Sequence, residues 1–466
     1  MSTRTAIILS LTTLAACDEL AVRGTATTPL TQEDTQPTVK MIGPPDLGPA
    51  PTQLDDLLEG PEIALPDPES LTRVGAPSLG LVTRPTTLTV PAQFATISDA
   101  LAAIDLYAIR GAGEITIQVA AGTYNLTAPI RPRHPDGARI RIVGDPANPA
   151  SRVLSFSNVT AGFDLGGGYA LGAFTGFEIR GGANAVDGVR ISGRSTLIEG
   201  TDLIVDSWDD QGIIVTEQSF ARLDRARVED NGTDGIAAFL GSTVIAEDAI
   251  SYRNRTGFRA WMSQIYAQGA EATANDSDGI VAESGGVFYG AALAYSNGDD
   301  GFNAFAGGIF DVGESVAADN GGEGFYLFAG SVMRGYSIST VPTVPGVDGI
   351  LPPAGNGYHG VQATVGSTAY VEASEISDNG TNAVNARNNS EIYVKGSSMF
   401  GNGGCVYSEQ DSHINGDGVT CSTIGGTTTS DDMWAVTGSY LSRINASGQA
   451  MTTANTTTGD RSQIKQ

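Results

Sequence analysis

The sequence predicts an all-β solenoid, and three observations carry that reading. First, asparagines punctuate the middle of the 466-residue chain at Asn184, Asn231, Asn254, Asn275, Asn297, Asn320, Asn356, Asn379 and Asn402. Most steps are about 22–23 residues, a period that signals stacked repeats, and Trp208 fills the one vacant rung. Second, another column runs in step: Ser195, Ser219, Ser242, Ser263, Gly286, Gly308, Ser331, Ser367, Ser390 and Ser412. Both columns lengthen together, after Asn320 and after Ser331, which marks one inserted loop in a regular array. Third, the apolar pieces between markers are very short, as in Ile213-Ile214-Val215, Val244-Ile245-Ala246, Val287-Phe288-Tyr289 and Ile392-Tyr393-Val394. They are β-branched or aromatic and bounded by turn residues, so they read as strands.

Two or three such strands per period make one coil of a single-stranded parallel β-helix, with about ten to twelve coils in all. Leucine-rich repeats share the period but need leucines that these segments lack. Coils stack about 4.8 Å apart, so equivalent side chains lie above one another. A stacked Asn passes an amide hydrogen bond to the next rung and tolerates the left-handed turn conformation. The 60 glycines suit a backbone that turns several times per coil.

The ends of the chain differ from this body. Arg4 flanks an apolar stretch from Ala6 to Leu14, and Leu14-Ala15-Ala16-Cys17 follows. The stretch is far shorter than the ~20 residues of a membrane span. This segment resembles a bacterial lipoprotein signal, which implies export and lipidation of Cys17. An ordinary secretory signal with an incidental cysteine is the alternative. Asp18 resembles an inner-membrane retention mark of enteric bacteria, and periplasm or outer surface stays undecided. Residues 18–85 are Pro- and Thr-rich and acidic, without periodicity, and read as a disordered tether between lipid and body. Cys405 and Cys421 remain as an even pair in an oxidising compartment. A disulfide is expected there, with free thiols or a metal site as alternatives. Residues 426–466 are expected to form a cap, through Trp434, Val436, Tyr440 and Leu441, and then a loose tail.

The solenoid is placed at 86–425. At its start, Ser98 and Asp99 are positioned to cap a helix through Ala100, Leu101, Ala103, Ile104 and Tyr107. An open solenoid end needs a cover, and this helix is expected to provide it. Strands at Ile115–Val119 and Ile140–Val143 follow. The order Phe94, Thr96-Ile97, Ala100-Leu101, Gly122-Thr123-Tyr124, Ile142-Val143-Gly144-Asp145 resembles the opening segment of pectin-lyase-like proteins. The resemblance extends from about Thr86 to Cys421. It implies a right-handed parallel β-helix with an N-terminal capping helix, in line with the crossover rule. It implies no particular activity, since one fold hosts many functions.

Charge narrows the function. The net charge is -26, from 52 acidic and 26 basic residues. That argues against a nucleic-acid partner and against unaided contact with an acidic polysaccharide. Calcium is the one cofactor the sequence suggests. Asp187, Asp234, Asp278, Asp300 and Glu323 share a column just before the coil glycines, with Asp276 and Asp299 beside it. Stacked carboxylates repel, and calcium held by Asp276, Asp278, Asp299 and Asp300 would compensate. The alternative is that each carboxylate accepts backbone N–H groups of its own turn in full solvent.

Catalytic patterns are sparse. Beyond Gly122-Thr123-Tyr124 the aspartate, glutamine and arginine patterns of pectin methylesterases are absent. Asp209-Asp210 and His359-Gly360 invite comparison with polygalacturonases, but six coils separate them, nearly 30 Å at ~4.8 Å per coil. Groups that share a substrate must lie within hydrogen-bond reach of it. A lyase reading rests on Arg253, Arg255 and Arg259 as base candidates with Asp276 and Asp278 nearby and Trp261 to stack on sugar; the alternative is ion pairing on a solvated face. Trp208, Trp261 and His359 are the binding candidates, and the inserted loop Ser337–Gly355 is expected to wall a groove near His359. His134 and His413 have no partners at catalytic spacing. The leading expectation is a lipid-anchored envelope or surface protein that binds glycans without chemistry. A calcium-assisted polysaccharide lyase and a structural shaft or adhesin are the alternatives.

The anchor is testable. Cys17→Ser is expected to abolish acyl labelling and to move the protein out of the membrane fraction or leave it as precursor. Unchanged labelling would overturn it.

Overall fold

A computed structural model of the protein describes residues 80–340, 355–416, 419–423, 433–435, 440–442 and 463–465, all within one compact unit, Glu62–Gln466. The signal segment with Cys17, the tether up to residue 79 and the loop residues Val341, Val344, Val347 and Ile350 lie outside the described residues. Among those described, no helix is long and apolar enough to cross a membrane.

The fold is a right-handed parallel β-helix. The turns in the middle of the array visit three sheets in the same order. Arg227–Glu229 lies in a nine-stranded sheet, Asp234–Phe239 in a twelve-stranded sheet and Thr243–Ile245 in a thirteen-stranded sheet. The strands between turns pair in parallel, one period apart. The thirteen-stranded sheet exceeds the ten to twelve coils expected from the markers. The surplus comes partly from the C-terminal region. Met433–Ala435, Tyr440–Ser442 and Gln463–Lys465 are strands that continue the stack, where a cap and loose tail were expected. At the other end, Gly80–Val82 pairs with Tyr107–Ile109, so the body begins before residue 86.

The single α-helix among the described residues, Ile97–Ile104, packs on Pro85–Val90 and Glu114–Val119 at the N-terminal end of the array. Its cap is Thr96 rather than Ser98. Asp99 N–H donates to Thr96 Oγ1 (3.0 Å), and Thr96 N–H donates to Asp99 Oδ2 (3.1 Å), a reciprocal capping box. Tyr107, expected in the helix, belongs to the following strand.

The asparagine ladder is real and buried. Asn275 Nδ2 donates to Asn297 Oδ1 (2.9 Å), Asn297 to Asn320 (2.9 Å), Asn320 to Asn356 (2.8 Å) and Asn356 to Asn379 (2.9 Å). Each Oδ1 also accepts the backbone N–H of the preceding ladder residue, as Asn297 does from Asn275 (3.1 Å). The ladder crosses the inserted loop intact, and Phe325 pairs beside Val361 in unbroken register. A glycine column explains itself against this ladder. A Cβ on Gly235, Gly257, Gly279, Gly301, Gly324 or Gly360 would sit 2.7–2.9 Å from the next rung's asparagine amide nitrogen. The serine column works likewise, with Ser219 N–H donating to Ser242 Oγ and Ser242 N–H to Ser263 Oγ, both at 3.1 Å.

Two ladder assignments change. Asp209 N–H donates to Ala185 O (2.9 Å), the bond that Gly232 makes to Trp208 O one rung on (2.9 Å). The rung before Trp208 is therefore held by Ala185, while Asn184 is an exposed turn residue with φ 54°. Trp208, offered as a surface binding residue, is only 2% exposed. Its ring packs against Phe156 at 5.8 Å, and its Nε1–H donates to Ile179 O (3.0 Å). A large apolar ring replaces the amide because the core is open there: Gly162, Gly181 and Gly188 leave the space it fills.

Cys405 is buried and disulfide-bonded. The backbone of Cys421 pairs beside Met399, and its side chain lies outside the described residues.

Stability should report these roles. Asn275→Ala and Asn297→Ala are each expected to cost about 1–3 kcal/mol by stranding a buried partner. Trp208→Ala is expected to cost about 3–5 kcal/mol as a core truncation. Denaturant titration checks both, and melts unchanged by the alanines would contradict a buried ladder.

Candidate functional site on the twelve-stranded sheet

The corner after each ladder asparagine aims one residue onto the outer face of the twelve-stranded sheet. Backbone bonds tie these residues in sequence: Gly279 N–H to Asp300 O (2.9 Å), Gly301 to Glu323 (2.9 Å), Gly324 to His359 (2.9 Å) and Gly360 to Asn382 (3.0 Å). Asp278, Asp300, Glu323, His359 and Asn382 thus occupy successive rungs. Two further outward columns run beside them. In the nearer one, register aligns Arg259, Val281, Asn303, Tyr326, Gln362 and Asn385. In the outer one it aligns Phe239, Trp261, Glu283, Phe305, Phe328, Thr364 and Arg387. Phe239 and Trp261 meet edge to face at 5.8 Å, and Phe328 is 39% exposed.

The carboxylates are built into the turns. Asp278 Oδ1 accepts the N–H of Asp300 (3.2 Å), and Asp300 Oδ1 accepts the N–H of Glu323 (2.8 Å). These donors belong to the next rung rather than to each residue's own turn, and Asp300 is buried rather than solvated. Burial pushes Asp300 well above the usual aspartate range, helped by its hydrogen bond to Glu323 and by the charges of Glu323 and Asp278. Burial also raises Asp278. A raised carboxyl favours the neutral form, which eases the repulsion between stacked acids that calcium was expected to relieve. Among the described residues no three His, Cys, Asp or Glu side chains converge as a metal-binding group. Asp276 and Asp299 stand exposed at the corners.

The arginines do not form a base cluster. Arg253 is paired with Asp230 (Nε to Oδ1, 2.7 Å) and lies over the Tyr252 ring. Arg259 is held between Asp234 (2.9 Å) and Glu283 (3.0 Å) on the twelve-stranded face. Arg255 is exposed on the turn between them. The bond to Asp230 holds Arg253 even further above its ordinary value, the wrong direction for proton abstraction. The lyase expectation falls on this geometry.

His359 is buried and fully engaged. Its Nδ1 accepts the Asn382 N–H (3.3 Å) and meets Thr381 Oγ1 (2.7 Å), while Nε2 meets the Asn385 amide (2.6 Å). The proton therefore sits on Nε2, and the Asn385 amide is satisfied when Oδ1, otherwise without a partner, faces it. Burial, with the charge of Arg387 behind it, lowers His359 to about 4, so it is neutral at pH 7. It braces the column and is not a free binding group. His134 is also structural, with its Nε2 2.7 Å from Tyr107 O.

His359 lies six rungs from Asp209-Asp210, as the spacing of the sequence implied. The acidic pair close to it is Asp299-Asp300, two rungs away. The signal was present in the two positions before Gly301, but a corner acid that recurs in several coils reads as part of the repeat.

No protein-family model matches the chain, and no curated protein matches it. Solved structures do. The A-module of mannuronan C-5 epimerase AlgE6 from Azotobacter vinelandii is 16% identical over 71% of this chain and 91% of that one, with a TM-score of 0.38. The catalytic unit of the thermostable GH87 alpha-1,3-glucanase from Streptomyces thermodiastaticus is 12% identical over 69% and 64%, with a TM-score of 0.47. Pectate lyase Pel9A is 14% identical over 75% and 80%, with a TM-score of 0.32. Identities this low concern the solenoid fold alone.

The raised Asp300 carboxyl has a pH signature. A carboxyl whose folded pKa is raised stabilises the fold at low pH and loses that contribution as pH rises from the ordinary aspartate range through the raised value. Asp230, lowered by its bond to Arg253, acts in the opposite direction. The comparison with Asp300→Asn isolates the term, because an amide keeps both hydrogen bonds. Wild type is expected to lose stability relative to Asp300→Asn as pH rises above about 4. Parallel curves would contradict a raised Asp300 carboxyl.

Proposed function

We propose that the protein is a lipid-anchored envelope protein that binds a neutral polysaccharide along the outer face of the twelve-stranded sheet. The observation that carries this is the outward row Phe239, Trp261, Phe305 and Phe328, interrupted by Glu283 and flanked by Tyr326, Asn303 and the carboxyl column. Aromatic faces at rung spacing suit pyranose rings, and the polar column supplies acceptors for sugar hydroxyls. The acidic column and the net charge of -26 disfavour a polyuronate here. The anchor is read from Leu14-Ala15-Ala16-Cys17, whose resemblance to a lipoprotein signal supports an exported, membrane-anchored protein. The epimerase, glucanase and lyase neighbours are named for polysaccharide chemistry, which agrees with this reading but does not carry it.

One observation favours a second reading, cleavage of the glycan. Asp300 is buried on the rung between Asp278 and Glu323, and burial raises its carboxyl; a raised carboxyl beside other carboxyls is the arrangement that glycoside hydrolysis uses.

A glycan array followed by titration separates the two. Trp261→Ala and Phe328→Ala are each expected to weaken binding about tenfold, as loss of a stacking platform does. Wild-type affinity in both variants would overturn the binding site. Release of reducing ends by wild type, lost in Asp300→Asn with binding intact, would establish the second reading.

A further inference from the structure

The thirteen-stranded sheet carries an aromatic column of its own. Register places Tyr266, Tyr289, Asp311, Arg334, Tyr370 and Tyr393 one above another on its outer face. Tyr266 and Tyr289 stack at 4.8 Å and 8°, and Tyr370 and Tyr393 at 5.0 Å and 9°. Parallel rings one rung apart lie across the solenoid axis, so each pair covers one face of each member. The Tyr393–Tyr370 stack stops where Arg334 replaces tyrosine. There the surface opens into a cavity of about 380 Å³, lined by Arg334, Gly335, Tyr336, Tyr370 and Glu372. Tyr370 is 42% exposed and Tyr336 58%. The Tyr336 ring is seated over Gly313, where a Cβ would fall 2.1 Å from it.

The charges at this cavity differ from those of most arginines in the solenoid. Arg222, Arg225 and Arg253 each hold a carboxylate. Arg334 and Glu372 line one cavity, yet neither forms an ion pair among the described residues. Asp311 lies one rung before Arg334, and Lys395 one rung after Glu372, so the surrounding charge balances. A donor fork and an acceptor thus stand without an ion-pair partner beside the open end of a ring stack.

We propose that this cavity is a second carbohydrate site, which takes one neutral pyranose unit stacked on Tyr370. The ring continues the tyrosine column into the place that Arg334 leaves open. Tyr336 flanks it, the guanidinium donates to hydroxyl oxygens, and Glu372 accepts from hydroxyl groups. Each sugar hydroxyl both donates and accepts, so it satisfies an Arg–Glu pair that a carboxylate or an ammonium ion would satisfy only by half. The balanced local charge likewise selects against an acidic sugar. The site lies on a different sheet from the aromatic row containing Trp261 and does not depend on that reading.

The test is a calorimetric titration of the full chain with cellotriose, laminaritriose, mannotriose and trigalacturonate. At least one neutral trisaccharide is expected to bind, and trigalacturonate more weakly than that one. Arg334→Ala and Tyr370→Ala are each expected to weaken it about tenfold. Gly313→Val, which displaces Tyr336 without touching the cavity, is expected to weaken it too. The binding component lost in Arg334→Ala and Tyr370→Ala is expected to persist in Trp261→Ala, whose effect is confined to the component contributed by the other face, and this separates failure here from failure of that face. Arg334 is exposed, so its variant keeps the fold, and a thermal melt verifies this. Absence of binding by all three neutral probes, wild-type affinity in Arg334→Ala, or loss only in Trp261→Ala would overturn the proposal.

Discussion

From Asn231 to Asn402 each rung of this protein is keyed to the next by one buried asparagine. Its carboxamide accepts the backbone N–H of the preceding ladder residue and hands its own N–H onward, and the rest of the structure follows from keeping that contact in place. The amide must lie against a backbone without a side chain, so a glycine recurs on the neighbouring column. The corner must turn sharply, so short polar residues surround it. Parallel pairing alone would tolerate slippage between sheets. The amide chain does not, because one slipped rung strands both a buried donor and a buried acceptor.

The same registration builds the functional surfaces. A residue type that recurs at one place in the period becomes a continuous row about 4.8 Å apart. Carboxyls then raise one another's pKa, as Glu323 and Asp278 do to the buried Asp300, and tyrosines stack face to face, as Tyr370 and Tyr393 do. Both outer faces are consequences of repetition. What distinguishes a site is a break in the repetition: Glu283 within the aromatic row, Arg334 within the tyrosine column. Function on a solenoid is most visible where the pattern fails.

Legibility in the sequence followed the same divide. The ladder, the serine column, the inserted loop and the strands between them were readable because repeats average over many rungs. Single-rung features were not. Asn184 carries the right residue one position from the true rung at Ala185, and only the hydrogen bond from Asp209 shows the offset. Trp208 looked like a surface residue because an aromatic cannot extend an amide ladder, yet three glycines around it make room inside the core. The strands at Met433–Ala435 and Tyr440–Ser442 lacked the asparagine punctuation and were taken for a cap. For the face of the twelve-stranded sheet, Trp261 and the acidic column were foreseen. The alignment of Trp261 with Phe239, Phe305 and Phe328 was not, because strand direction decides which of two neighbouring apolar residues points outward. The ion pairs of Arg253 and Arg259 depend on partners a full coil away and were beyond the reach of spacing.

The central claim is that polysaccharide lies along the outer face of the twelve-stranded sheet. Hydroxyl-radical footprinting of the full chain, with and without a glycan bound at saturation, tests it most directly. The account predicts protection of Trp261, Phe305 and Phe328 together, since one extended chain crosses consecutive rungs. Unchanged reactivity of these three residues while the glycan is bound would contradict it.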